Sequence, residues 1–187
     1  MFRLAIIIGS TRPHRNGEAV AKWIFDIARQ HRHTDAELVD IRDYHLPLLD
    51  EPQPASSGQY YHAHTRAWSE KIASFDGFVF VTPEYNHAPP AALKNALDYL
   101  FHEWNNKSAG FVSYGAMGGV RAVQELRHIM GALMIADVRT QVTLSLFTDF
   151  EKMSVFKPDP RHEKTVNTML DQIVAWGTAL KPLRQND

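Results

Sequence analysis

Apolar residues along this chain fall into two alternating patterns. Short runs that are apolar on both faces, Leu4–Ile8, Phe78–Val81 and Ala109–Tyr114, predict strands buried inside a parallel sheet. Leu38–Ile41 and a stretch within Val138–Leu146 predict two more. Between these runs, apolar residues recur at helical spacing. Val20, Trp23, Ile24 and Ile27 predict a first helix, with Asn16-Gly17-Glu18 supplying its cap and first turn. Trp68, Ile72 and Phe75 mark a second, ended by Asp76-Gly77. Pro89-Pro90 leads into a third with Leu93, Ala96, Leu97, Leu100 and Phe101 on its apolar face. Val123, Leu126, Met130 and Leu133 form a fourth, and Val166, Met169, Leu170, Ile173 and Val174 a last. From Arg42 to His64 the chain reads as a long irregular connection, with Pro47, Pro52, Pro54 and Ser56-Ser57-Gly58.

Strands alternating with helices predict an α/β fold with both sheet faces covered. Five strand–helix units fit a flavodoxin-like three-layer sandwich, with a five-stranded parallel sheet of order 2-1-3-4-5. No repeat or linker divides the chain, so residues 1–187 are read as one domain. In such sheets ligands bind outside the carboxyl ends of the strands, at the switch point between strands one and three. That rule selects three loops: Gly9–Gly17, Thr82–Pro90 and Ser113–Gly119.

Composition narrows the chemistry. The formal charge of −1 gives no basic excess to favour nucleic acid or an anionic membrane surface. There are no cysteines, which excludes disulfides, thiol redox chemistry and Cys-ligated metal sites. The N-terminal apolar run is shorter than a signal-peptide core, and no apolar stretch is long enough to span a bilayer. The expectation is a cytoplasmic chain. His31/His33 and His62/His64 stand two apart, which suits no helical zinc pair, so they are read as solvated. His102-Glu103 and Asp149-Glu151 are read as surface, and no metal site is expected.

Each loop carries candidate chemistry beside a plainer reading. The first holds Ser10, Arg12 and Asn16 ahead of a helix N-terminus at Gly17, where backbone N–H groups and the helix dipole suit a phosphate. A polar strand–helix turn would use the same residues. It matches neither G-x-G-x-x-G nor the P-loop pattern. The second, Pro83-Glu84-Tyr85-Asn86-His87, offers a ring face and amide groups for a heteroaromatic edge, or a turn with Asn86 as helix cap. The third, Ser113-Tyr114-Gly115 with Gly118-Gly119, lets backbone approach a ligand and forms a nest for partial negative charge, or simply connects strand to helix.

Together Gly9-Ser10-Thr11-Arg12, Pro83-Glu84-Tyr85-Asn86 with Leu93-Lys94-Asn95-Ala96-Leu97-Asp98, and Ser113-Tyr114-Gly115 with Gly118-Gly119-Arg121-Ala122 resemble the NADPH-dependent FMN reductase family. The resemblance runs from Leu4 to about Leu146. It implies an enzyme that passes hydride from NADPH or NADH to FMN, then reduces a small acceptor: a quinone, azo compound, chromate or free flavin. It implies that Ser10, Arg12 and Asn16, with Gly17 behind them, hold the FMN phosphate. Pro83, Glu84, Tyr85 and Asn86 would line the ring, and Ser113, Tyr114, Gly115 and Gly118 its polar edge. Position 16, often serine in the family, is asparagine here. Pro89-Pro90-Ala91-Ala92 stands where a glycine is common. The hydride step requires no acid–base side chain, and none is assigned. The resemblance further implies a homodimer or homotetramer, with Tyr99, Phe101 and Trp104 as candidate interface residues or ordinary packing.

The rival function is a non-enzymatic FMN electron carrier of flavodoxin type. Dedicated carriers tend to be strongly acidic for docking, and this chain is near neutral. A ligand-binding protein that kept the fold without turnover is a third reading.

Overall fold

The computed structural model describes residues 1–184. Residues 185–187, the end of the expected domain range, lie outside it. The five expected strands are β1 (Phe2–Ile8), β2 (Thr34–Asp40), β3 (Gly77–Pro83), β4 (Lys107–Gly115) and β5 (Ile135–Ser145). All pair in parallel, in the order β2-β1-β3-β4-β5. Strands β3 and β4 are buried along their whole length, which is why they read as continuous apolar runs. The edge strands β2 and β5 mix buried, half-buried and exposed positions, so apolar patterning marks their limits less sharply.

Five helices cover the sheet: α1 (Gly17–Ala28), α2 (Ala63–Ala73), α3 (Ala91–Asp98), α4 (Val120–Ala132) and α5 (His162–Leu180). Against one face, α2, α3 and α4 pack Trp68, Leu93, Leu97 and Leu126 onto Phe78, Phe80 and Phe111. Against the other, α1 and α5 pack Ile24, Met169 and Ile173 onto Leu4, Ile6 and Val79. Each such side chain contributes roughly 1.5–3 kcal/mol when fully buried.

Several expectations are corrected. Tyr99 and Trp104 are both wholly buried and belong to the core rather than to an interface. Trp104 Nε1 donates to the Leu97 carbonyl, and the Tyr99 hydroxyl donates to Asp50 at 2.8 Å. Phe101 is half-buried. The long connection holds two short 3-10 turns, Ile41–Tyr44 and Ala55–Ser57. Asp50 on it also meets His64 at 3.1 Å and His62 at 3.9 Å. Helix α3 starts one residue after Pro90, which therefore sits at the cap and not in the first turn.

After β5 comes an unforeseen antiparallel hairpin, β6 (Phe150–Glu151) and β7 (Val155–Phe156). Its base is fixed by Asp149, which is 3% exposed and not a surface residue. Asp149 accepts from the backbone N–H of Ser145 and Asp159 and meets His162. Burial works to raise its carboxyl, but these partners outweigh burial and hold it below the usual range.

Candidate active site

The carboxyl ends of β1, β3 and β4 carry the three selected loops. The first leaves β1 with Gly9 donating to the Val81 carbonyl at 2.8 Å, which ties it to β3. Ser10 is 1% exposed, and its hydroxyl lies 3.1 Å from that of Tyr85, joining the first and second loops. Arg15, unassigned from the sequence, clamps the loop from inside. Its guanidinium donates to the Ser10 carbonyl, to Glu18 and to Asp40. Burial works against that charge, and the two carboxylates outweigh it. Arg12 is exposed, and its guanidinium has no protein partner among the described residues.

Asn16 stands at the cap position of α1 but does not cap it. Its backbone is already helical, φ −66° and ψ −21°, whereas a side-chain cap needs extended backbone. Its amide instead donates to the Met153 carbonyl at 2.9 Å. Gly17 backs onto Tyr114: a Cβ there would fall 2.8 Å from the Tyr114 hydroxyl.

The second loop is a tight two-residue turn. Tyr85 and Ala88 exchange backbone hydrogen bonds at 2.9 and 3.1 Å, and the residues between, Asn86 and His87, have φ of 51° and 70°. That is the left-handed pair of a type I′ turn. Asn86 thus shapes the turn and does not cap α3, whose cap position is Pro90. The third loop closes at Gly118 and Gly119, with φ of 70° and 73°. At Gly119 a Cβ would also lie 2.8 Å from the Ser113 Cβ. Ser113 is fully buried; its hydroxyl donates to the Gly118 carbonyl at 2.6 Å and accepts from Gln141 at 3.0 Å. Its side chain therefore fixes the loop.

The second and third loops are joined by Glu84 and Arg121. The Glu84 carboxylate accepts from the Arg121 backbone N–H and from its guanidinium, both at 3.0 Å. Burial alone would raise the Glu84 carboxyl, but Arg121 and nearby amides hold it below the usual range. The Tyr114 phenol is driven upward by burial.

The structure brings Arg12, Asn16, Pro83, Glu84, Tyr85, Tyr114 and Gly115 around one cleft of about 260 Å³. Ser10, Gly17 and Ser113 sit behind its walls. Asn86 is exposed at its turn, and Gly118 lines the adjoining depression. His14, Arg15, Leu146, Met153 and Ser154 complete the wall and were not foreseen. A larger cavity of about 550 Å³ lies at the opposite end, near the start of β4. There Lys107 donates to the last carbonyls of α2, Ile72 and Ala73, at 2.9 and 3.2 Å. Its lysine therefore closes a helix end.

The cleft's donors suit FMN. The unpaired Arg12 guanidinium and the N-terminus of α1 offer positive charge for a phosphate. Among the described residues, the backbone N–H groups of Asn86, His87, Ala116 and Met117 donate to no protein acceptor, and so suit a ring rich in carbonyl and nitrogen acceptors.

Residues 2–149 match the NADPH-dependent FMN reductase family. An NAD(P)H-dependent FMN reductase of Schizosaccharomyces pombe is 41% identical over 158 residues, covering 83% of this chain and 79% of its own. A quinone reductase of Escherichia coli is 34% identical over 135 residues, 69% of each chain. Among solved structures, the flavoenzyme NAD(P)H:acceptor oxidoreductase FerB of Paracoccus denitrificans superposes with a TM-score of 0.75 over 96% of this chain and 98% of its own. It is 19% identical. The loops that build the cleft all fall inside the matched segment, and the chain belongs to the NADPH-dependent FMN reductase family.

Proposed function

We propose that this enzyme, an FMN-dependent NAD(P)H oxidoreductase, uses a small quinone-type compound as its acceptor. The carrying observation is the cleft at the carboxyl ends of β1, β3 and β4, with the unpaired Arg12 in its wall and free loop amides nearby. When bound, FMN supplies the hydride chemistry between the nicotinamide donor and the acceptor.

The chain's own residues bind and orient. Arg12 and Asn16 hold the phosphate, while Arg15 and Ser10 keep their loop in place. Pro83, Glu84 and Tyr85 line the ring, with Asn86 and His87 presenting backbone N–H groups. Tyr114, Gly115 and Gly118 shape the side near the polar edge, and Glu84 with Arg121 sets the distance between those two walls. Exposed Met117 and Val120 give the third-loop side an apolar surface suited to a flat acceptor. The quinone reductase relatives support that acceptor class.

The reading includes a single domain over residues 1–187, a cytoplasmic location and a homodimer or homotetramer. Among the described residues no helix is long and apolar enough to cross a membrane. The test is a steady-state panel with FMN-loaded protein, NADPH or NADH, and benzoquinone, an azo dye, chromate or free FMN as acceptor. The expected order places benzoquinone first in kcat/KM. Turnover confined to free FMN would contradict the quinone reading.

A further inference from the structure

We propose that the β6–β7 hairpin is a strap across the phosphate end of the cleft, and that Asn16 couples it to the FMN phosphate. The inference rests on the functional reading above, which places that phosphate at the first loop.

The hairpin lies just past the segment that matches the family. Its base is firmly held. Phe150 is buried and its ring packs with Tyr114 at 6.2 Å and Phe156 at 5.1 Å. Phe156 meets Trp23 of α1 edge-on at 5.6 Å. Asp149 ties the base to β5 and to the start of α5.

The tip is different. Lys152 and Met153 have φ of 50° and 57°, and Ser154 donates back to the Glu151 carbonyl at 3.1 Å. This is a type I′ turn made without glycine or asparagine, the residues that such turns favour. A strained turn of this kind persists where its surroundings hold it. Met153 is 56% exposed, so burial does not hold it. Among the described residues, the tip makes one hydrogen bond to another element, from Asn16 Nδ2 to the Met153 carbonyl at 2.9 Å. That bond spans 137 residues of sequence.

An asparagine amide carries two N–H donors on one nitrogen. The hairpin takes one of them. The second has no protein partner among the described residues, and Asn16, Met153 and Ser154 all line the cleft that holds Arg12. One side chain can therefore serve the hairpin and the phosphate at once. Phosphate that fixes Asn16 also fixes the strap. By reciprocity, the strap then tightens FMN binding by the same coupling, ~5-fold or more in Kd.

Hydrogen exchange at residues 152–155 and the FMN Kd, read by a flavin fluorescence titration, test this. Without flavin, Asn16→Ala should speed exchange at the tip. An unchanged rate would overturn the strap, and this arm needs no flavin. In the wild-type chain FMN should slow tip exchange further, whereas riboflavin, which lacks the phosphate, should not. Equal protection by both would overturn the coupling. Asn16→Ser has one donor and can serve only one partner. It should bind FMN ~5-fold more weakly and lose the FMN-dependent protection. Wild-type behaviour in both would overturn the proposal. Replacing Glu151–Val155 by Asn-Gly should also weaken FMN binding, and combining it with Asn16→Ser should give less than the product of the two effects. A full product would mean that they act independently. Failure of the wild-type chain to bind FMN at all would instead overturn the functional reading, with the flavin-free exchange arm unaffected.

Discussion

Glu84, at the end of β3, receives two hydrogen bonds from Arg121, at the start of α4, one from the backbone N–H and one from the guanidinium. The pair spans the mouth between the second and third loops, so it sets the width of the site. Glu84→Gln keeps the shape and removes the charge. Charge-assisted bonds contribute ~1.5–3 kcal/mol, and the exposure of Arg121, 44% at its side chain, puts the loss at the low end. Melting temperature and amide exchange at 116–121 check this. The Glu84 carboxyl is lowered in the folded chain, so its contribution is present above the unfolded-state pKa. It is lost as pH falls through the lower folded value. The gap between wild type and Glu84→Gln should therefore close in acid.

Arg12→Ala should weaken FMN binding without unfolding the chain, because the guanidinium touches no protein partner among the described residues. Loss of a charge-assisted phosphate contact is worth ~1.5–3 kcal/mol, or roughly ten- to a hundredfold in Kd. A flavin fluorescence titration measures it, with unchanged riboflavin binding as the control.

Arg15 should behave in the opposite way. Its side chain is 1% exposed and ties Ser10, Glu18 and Asp40 together. Arg15→Met leaves the Ser10 carbonyl without its partner and Asp40 with Arg42 alone, and breaking such a buried pair costs ~3–5 kcal/mol. Glu18 is half-exposed and recovers water, so the lower end is expected. Urea unfolding gives the stability. FMN and riboflavin affinity should fall together, because the whole loop loses its support.

Lys107 gives a pH signature far from the site. Burial, reinforced by Arg184, depresses its amine to about 7. The unfolded chain then holds more protons than the folded chain between about pH 7 and the ordinary lysine value near 10.4, so stability rises with pH across that window. Lys107→Met also removes the donors that close α2, so the slope of stability against pH, not its absolute value, is the test. The variant should show a flatter slope.

Much of this architecture is visible in periodicity. The sheet order, the helices and the three loops follow from apolar runs such as Phe78–Val81 and from helical spacing such as Val20, Trp23, Ile24 and Ile27. Those signals are strong because a doubly covered parallel sheet buries both strand faces. What escaped depends on contacts between distant residues. Arg15 is one polar residue among several in its loop, and only the fold brings Asp40 to it. The tip at Lys152-Met153 lacks the Asn-Gly signal of a tight hairpin, so nothing local marks it. Asp149 looks like a surface carboxylate until four partners converge on it. Asn16 has the residue type of a cap, yet its helical backbone turns the amide toward a hairpin that is invisible from its neighbours. Tyr99 and Trp104 follow α3 and read as interface or as ordinary packing, and complete burial, with Trp104 set among Phe78, Phe80 and Trp68, decides for the core.

An anaerobic titration of the FMN-loaded protein with NADPH and, separately, NADH tests the central claim most directly. One equivalent of at least one donor should bleach the visible flavin band, and added benzoquinone should restore it. Tight FMN binding with a band that neither donor bleaches would contradict the account.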